Sequence, residues 1–359
     1  MNIIVFNVPA EHGGALSILN DFYKEVCSYS DSNIKWIFVL SKPQFEETEN
    51  VKVIRFPWIK KSWIHRSLFD YVVAPYLVRK NKAHKIFSLQ NLTIPFTNVP
   101  QTVYVHQPLP FIEHQFSFSE NKLFWLYQKV IGRKIIKSIK HANKVIVQTK
   151  WMKKACMEQS EESRVKFDVI PPKISMHAAS VFKPSDHAQS TFFYPASAIM
   201  YKNHRLIVEA CKLLDRALLN EIKIIFTLNK DESDYCASLY KEVEELQLPI
   251  DFVGHLTRDE VYDQYTKSVL LFPSYIETYG LPLKEAKTLK GMIAASDCAF
   301  SREILDDYPN ATFFNPFDAN SLAIVMEDIV KRNIKYVKVE ASHDKDFEIN
   351  QLVTAVINS

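Results

Sequence analysis

The sequence predicts an α/β protein with two parallel sheets formed one after the other, and three observations carry that reading. Short apolar, β-branched runs alternate with longer helical patterns along the chain, the rhythm of strands covered by helices rather than of a sandwich or a bundle. A polar, proline-broken stretch interrupts the rhythm near the middle, and the same alternation then restarts. With 359 residues, 47% of them hydrophobic, the chain has the length and the apolar content for two cores.

In the first half, strands are expected at 3–8, 36–40, 51–56, 85–89, 102–106 and 144–148, with helices between most of them. The interruption runs from Asp168 through Pro171 and Pro172 to about Ser190, with Pro184 as a further breaker. Beyond it, strands are expected at 191–195, 222–228, 250–253, 269–272, 292–295 and 312–314. The last stretch, 344–358, has a weak helical period and is expected to pack back on the first domain. The organisation read from this is an N-terminal domain over 1–175, a C-terminal domain over 176–335 and a helical tail over 336–359.

Composition narrows the class. Charged residues make up 24%, far from the signature of disorder. Five scattered cysteines, Cys27, Cys156, Cys211, Cys236 and Cys298, show no CxxC or metal-ligand spacing and read as thiols in a reducing compartment. The first residues run straight into an apolar strand without a secretory pattern, and no apolar run approaches the roughly 18 residues of a membrane span. A cytoplasmic protein is expected. The net charge of +3 hides an asymmetry: residues 1–170 hold 24 Lys+Arg against 14 Asp+Glu, and the remainder 20 against 27. Residues 51–150 hold 17 basic and 3 acidic residues, interleaved with Trp58, Trp63, Phe69, Tyr71, Tyr76, Phe124, Trp125 and Tyr127. A basic aromatic surface suits an anionic membrane face or nucleic acid. No nucleic-acid recognition motif accompanies it, which leaves two readings, an anionic membrane surface as the expected partner or a solvated helix face with core aromatics behind it.

The most specific chemical signal is LLFPSYIETYGLPLKEAK, residues 270–287, where a strand runs into a loop and Pro282 opens a helix. Glu277 and Glu285 bracket seven residues. Glu277 falls on the loop at the carboxyl end of the strand, where ligands bind in open α/β sheets, and Glu285 about one turn into the helix. A helix N-terminus favours a pyrophosphate through its free amides and partial positive charge, and carboxylates beside it accept hydrogen bonds from sugar hydroxyls. FFYPASAIMYKNH, residues 192–204, repeats the pattern of strand, loop and basic residue, Lys202, before a helix. In the first half, Gly13 and Gly14 follow the first strand. SLQN at 88–91 and YVHQPLPF at 104–111 follow later strands and put His106 at a strand end. No HExxH or Asp-x-Asp pattern implies a metal, and no GxxxxGK[ST] or GxGxxG loop supports ATP or NAD.

Together these residues resemble the family 4 retaining glycosyltransferases, whose signature is Glu, seven residues, Glu around an aromatic-Gly-Leu-Pro core, here Tyr279-Gly280-Leu281-Pro282. The resemblance spans most of the chain in order: the paired glycines, the His106 strand, KVIVQT at 144–149, the Pro171 junction, Lys202, and the two glutamates. It implies the GT-B fold, two Rossmann-like domains with parallel sheets facing a central cleft, the first binding the acceptor and the second the nucleotide-sugar donor. It assigns Glu277 to the donor sugar, Glu285 to the nucleotide ribose and Lys202 to the diphosphate, with Thr278, Tyr279, Gly280 and Leu281 lining the donor. Gly13 and Gly14 correspond to a glycine-rich loop that admits the substrates, and His106 to a histidine close to the reacting sugar. Glu303 matches a recurrent position after the last catalytic strand. Two positions depart: Thr278 stands where the family often has Gly, and Ser197 where many members carry an arginine, for which Arg205 could substitute.

The implied activity is transfer of a hexose from a UDP- or GDP-linked donor to a saccharide, with retention, without a metal and without a further cofactor. Joined to the basic first half, the resemblance implies a lipid-linked acceptor, a place on the cytoplasmic face of the inner membrane, and a role in bacterial surface polysaccharide such as O-antigen or capsule. Two alternatives keep the fold: a nucleotide-sugar 2-epimerase, which needs no acceptor, and a catalytically degenerate transferase serving as a scaffold, motivated by Ser197 and Thr278.

Overall fold

The computed structural model describes residues 1–11, 13–29, 31–161, 166–173, 180–339 and 351–359. The chain divides into two compact units, one of Met1–Lys173 with Asp344–Ser359 and the other of Ile174–His343.

The first unit holds a seven-stranded parallel sheet of β1 (Asn2–Asn7), β2 (Lys35–Leu40), β3 (Val51–Arg55), β4 (Lys85–Ser88), β5 (Gln101–Val105), β6 (Lys144–Val147) and β7 (Lys166–Val169). Its spatial order is β3-β2-β1-β4-β5-β6-β7. Strands covered on both faces read as unbroken apolar runs rather than alternating ones, and Ile3, Ile4, Val5 and Phe6 of β1 are all fully buried. One face packs Leu19 and Phe22 of the helix Gly13–Ser28 together with Leu352, Val353 and Val356 of the helix Gln351–Ile357. The other packs Phe69, Ala74, Leu77 and Val78 against Ile4 and Phe6. The C-terminal helix is also tied by charge. Lys85 and Lys144 donate to the Ile357 and Ala355 carbonyls at 2.6 and 2.8 Å, which satisfies acceptors that a helix end leaves open. The Val353 amide donates to Glu25 at 3.3 Å, and Glu25 pairs with Lys173 at 2.7 Å.

The second unit holds six parallel strands, β8 (Thr191–Tyr194), β9 (Lys223–Phe226), β10 (Ile250–Phe252), β11 (Val269–Phe272), β12 (Ile293–Ser296) and β13 (Ala311–Phe314). Their order is β10-β9-β8-β11-β12-β13. The second sheet thus runs 3-2-1-4-5-6 in its own numbering, the doubly wound order, and the first runs the same with a seventh strand beside β6, with a reversal between β1 and β4 and another between β8 and β11.

Two expectations shift. The stretch from Asp168 to Ser190 is less irregular than its prolines suggest: Asp168 and Val169 lie in β7, and Asp186–Ser190 form a helical turn capped by Ser185. β7 is a partly exposed edge strand in which Lys144 holds Asp168 at 3.1 Å, so it lacks the apolar run that marks its neighbours. The expected tail is divided. The Val337 backbone stays with the second unit, bonded on both sides by the Asn310 side chain at 2.7 and 2.9 Å, whereas Gln351–Ile357 belongs to the first. Residues 340–350 of that tail lie outside the described residues. Among the described residues, no helix is long and apolar enough to cross a membrane.

Candidate functional site

Where strand order reverses, the connections leave in opposite directions and a crevice opens at the carboxyl ends of the two strands. In the second unit this place is flanked by the loops after β8 and β11. Asn203 is their hub: it takes the left-handed conformation with φ 64, ahead of the helix His204–Leu213. Its side-chain amide donates to the Pro273 carbonyl at 3.3 Å and the Pro316 carbonyl at 2.8 Å, joining the loops after β8, β11 and β13. The Tyr275 amide donates to the Tyr201 carbonyl at 3.2 Å, and the Tyr194 hydroxyl to the Lys202 carbonyl at 2.6 Å. Behind them, Ser296 donates to the Ser274 carbonyl at 2.5 Å and Ser301 to the Ser296 carbonyl at 2.6 Å. These bonds fix the backbone on which the charged groups stand.

Lys202 and Glu277, one from each loop, form an ion pair with side chains only 18% and 17% exposed. Glu277 also accepts from Ser274 at 3.0 Å. Gly280 follows at φ 83, where an added Cβ would come within 3.2 Å of Leu283 Cδ1, so the backbone angle strains a side chain and the space is tight for one. The helix Leu281–Thr288 starts there with a proline in its first turn. Thr278 and Leu281 are half-buried, and Tyr279 is buried.

Glu285 has a different environment. It is 8% exposed, accepts from the Tyr265 hydroxyl at 3.3 Å and faces the Arg258 guanidinium at 3.6 Å. Burial pushes its carboxyl above the usual range, against the pull of Arg258, Tyr265 and Tyr262. Arg258 opens the helix Arg258–Tyr265, whose start is set by a Thr257–Glu260 capping box. The two signature glutamates therefore sit in separate polar clusters, one with a lysine and one with an arginine and tyrosines.

Ser197, where the resemblance implies an arginine in many members, is exposed. Arg205 does not replace it: its guanidinium pairs with Glu242, which also holds Lys212 at 3.0 Å, and so is committed to the helix Asp234–Glu245. His204, which the sequence reading passed over, is fully buried beneath the site, 4.7 Å from the Tyr194 ring and 5.0 Å from Phe226 between centroids. Neither ring nitrogen meets a partner at hydrogen-bond geometry. Burial and then Lys202 push this imidazole down to about 3, with only a weak opposing pull from the backbone at Ala196. Glu303 is half-buried in the helix Ala299–Ile304, one residue beyond Arg302, which is paired with Asp297.

In the first unit, Gly13 and Gly14 are the opening residues of the helix Gly13–Ser28 rather than a loop, a correction to the sequence reading. Gly13 has φ 64, and a Cβ on either glycine would meet nothing within 4 Å. The chain's own packing thus gives no reason for Gly14. Asn91, left-handed at φ 65, accepts from the His106 amide at 2.7 Å and joins the SLQN and YVHQ segments at the end of β5. The His106 residue keeps a partly exposed edge, but its Nδ1 is enclosed and has no hydrogen-bond partner. Burial pushes this imidazole down to about 4, so it is neutral near pH 7.

Two doubly wound parallel sheets in tandem are the GT-B architecture, and solved GT-B glycosyltransferases match the chain in fold. Residues 179–345, the bulk of the second unit, match the family model of glycosyl transferases group 1. The Anabaena HepE protein, solved with UDP, is 15% identical over 94% of this chain and 92% of its own, with a TM-score of 0.67. The sucrose-phosphate synthase of Thermosynechococcus elongatus is 16% identical over 92% and 90%, also at 0.67. The lipopolysaccharide outer core galactosyltransferase WaaB in its apo form is 14% identical over 94% and 92%, at 0.67. No curated protein matches the chain in sequence.

Among the described residues, no group of three or more His, Cys, Asp or Glu side chains is placed to hold a metal ion. Asn203, Ser274, His204, Arg258 and Tyr265 are the site residues that sequence reasoning missed. The one signal that could have found Asn203 was an asparagine at a turn directly before a helix.

Proposed function

We propose that the protein is a retaining glycosyltransferase of the family 4 type, moving a hexose from a UDP- or GDP-linked donor to a lipid-linked saccharide in the assembly of a bacterial surface polysaccharide such as O-antigen or capsule. The observation that carries this reading is the Lys202–Glu277 pair, standing at the reversal between β8 and β11 beside the helix that Gly280 opens, within the region that matches the group 1 family. The HepE structure's bound UDP supports a nucleotide in a fold of this kind.

Departure of a nucleoside diphosphate leaves negative charge on the leaving group and positive character on the anomeric carbon. A site that holds fixed charges against both needs no reorganisation when the bond breaks. Lys202 and the amides at the start of the Leu281–Thr288 helix take the leaving charge. Glu277, released from Lys202 by the incoming diphosphate, accepts from sugar hydroxyls. Glu285 accepts from the ribose, with Arg258 and Tyr265 opposing the effect of its burial. Thr278, Tyr279, Gly280 and Leu281 form the backbone wall of the donor site, and Gly13 and Gly14 leave space for substrate. His106, neutral by burial, offers hydrogen bonds to the reacting sugar rather than charge. The acceptor hydroxyl attacks from the face the diphosphate leaves, and no enzymic nucleophile is assigned. Lys202 fills the role a divalent cation plays elsewhere, so chelation is expected to leave turnover unchanged.

Titration calorimetry with UDP, GDP and their common sugar conjugates, on the wild type and on Glu285→Ala, tests the reading. Selective binding of one nucleotide, lost in the variant, supports it, as does an axial product from an axial donor by NMR. No binding by any nucleotide would leave the degenerate scaffold as the better account.

A further inference from the structure

We propose that the outer face of residues 63–80, together with Phe96, is a membrane-insertion surface that seats the first unit on an anionic bilayer. The segment is one continuous helical run, Trp63–Leu68, Phe69–Val73 and Ala74–Lys80, with a π-helical turn in its middle. Its inner side is core: Phe69, Ala74, Leu77 and Val78 are at most 5% exposed. Its outer side carries Trp63, Ile64, Leu68, Tyr71, Val72 and Tyr76, exposed by 46–80%. Ile64, Leu68, Val72 and Tyr76 are spaced by four, a row that drifts by about 40° per step in an unbroken α-helix. The wider π turn takes back part of that drift, so the row stays on the solvent side while Phe69 and Leu77 stay in the core.

A second observation comes from outside the helix. Phe96 has φ 58, a backbone state bulky residues avoid, and holds its ring 68% exposed. The ring lies 6.2 Å from that of Tyr71, and Arg79 donates to the Phe96 carbonyl at 3.2 Å. Strained backbone here extends the apolar stripe instead of filling the core.

Charge selects the occupant. The ammonium of Lys80 lies 5.8 Å over the Tyr76 ring and that of Lys134 5.9 Å over Tyr71. Lys61, just before the run, Arg79 within it and Arg133 on the helix that carries Lys134 are exposed. The single acid of residues 63–80, Asp70, is neutralised by Arg66 at 2.7 Å. Aromatic and branched side chains in a stripe, flanked by long basic ones, fit the boundary between acyl chains and anionic headgroups. A second copy of this chain would bring the same basic face and repel. The inference rests on the transferase reading only for the lipid-linked acceptor that makes such docking useful.

The test is co-sedimentation of the full chain at low salt with vesicles of phosphatidylglycerol and phosphatidylethanolamine, and with phosphatidylcholine alone. It uses wild type, Ile64→Asp/Val72→Asp/Tyr76→Asp and Lys80→Glu/Lys134→Glu, with UDP and GDP thermal shift on each to report the fold and the donor site. Ile64, Val72, Tyr76, Lys80 and Lys134 are all exposed, so nucleotide response should not change. Retention of wild type by the anionic vesicles alone, weakened about tenfold or more in both variants, supports the proposal. Retention unaffected by the three aspartates, or no retention of wild type, overturns it. So does a wild-type dimer by light scattering that the aspartate variant splits and vesicles do not, which would make the face a self-interface. Vesicle binding without any nucleotide response would uphold the surface and sink the transferase reading instead.

Discussion

The two strand-order reversals share a topology and are finished with different materials. Between β8 and β11, side chains cross from loop to loop: Lys202 to Glu277, Asn203 to Pro273 and Pro316, Ser274 to Glu277. Between β1 and β4, Gly13 and Gly14 face open space, the Asn91 side chain holds the His106 amide, and Glu11 after β1 turns to Lys42 and Lys60 at 3.3 and 3.4 Å. The order of strands supplies a crevice in both cases. Side chains decide what each crevice presents: the second sets the Lys202–Glu277 pair across its two loops, and the first leaves an open wall at its glycines.

The comparison breaks most directly at the ion pair. Lys202→Ala and Glu277→Ala are each expected to lower turnover by about 10²–10³-fold, with the double variant little worse than either, because the pair acts as one unit. Steady-state kinetics on the three proteins would show it, and additive losses would mean the two groups work independently.

Acid titration addresses both units at once. His106 and His204 have folded pKa values of about 4 and about 3, below the 6.5 of a free imidazole. The folded state therefore binds fewer protons, so their contribution is complete above about pH 6.5 and is lost as pH falls towards 4 and then 3. The loss should amount to a few kcal/mol at roughly 1.4 kcal/mol per unit. Urea midpoints followed from pH 7 to pH 4 should fall, and His204→Phe, which fills the aromatic pocket without a titrating group, should flatten the slope. An unchanged slope would mean that His204 takes up its proton at the same pH in the folded and the unfolded chain.

Glu285→Gln is expected to weaken nucleotide binding roughly tenfold while leaving the melting temperature equal or higher. Its folded pKa is raised by burial, so the charged form costs stability above the normal carboxylate range and the neutral amide relieves that. A clear fall in melting temperature would show that Arg258 and Tyr265 outweigh burial. The smallest effects compare glycines. Gly280→Ala should cost about 1 kcal/mol in denaturant unfolding, from its positive φ and the Leu283 contact. Gly14→Ala should be neutral or stabilising by about 0.5 kcal/mol and yet slow turnover, if the space it leaves is for substrate.

Much of this was legible in the residues. Buried parallel strands need apolar, β-branched runs on both faces, so twelve strands stood out. β7 did not, since an edge strand with Lys166 and Asp168 carries no such run. The glutamate pair, Gly280 and Pro282 could be placed at a strand end and helix start because those positions follow from local chain geometry. Arg258 and Asn203 could not: one lies 27 residues before Glu285, and the other reaches Pro316 across 113 residues. Nothing local encodes either approach.

What the sequence determined by itself was the alternation of strands and helices, the break between two units, and the loop positions of Lys202, Glu277 and His106, all set by interactions within a few residues. Only the tertiary structure decided that Lys202 meets Glu277, that Arg205 turns away to Glu242, and that Glu285 is buried with an arginine and a tyrosine. Those outcomes depend on which strands become neighbours, and that is fixed by packing over the whole sheet rather than by any one segment.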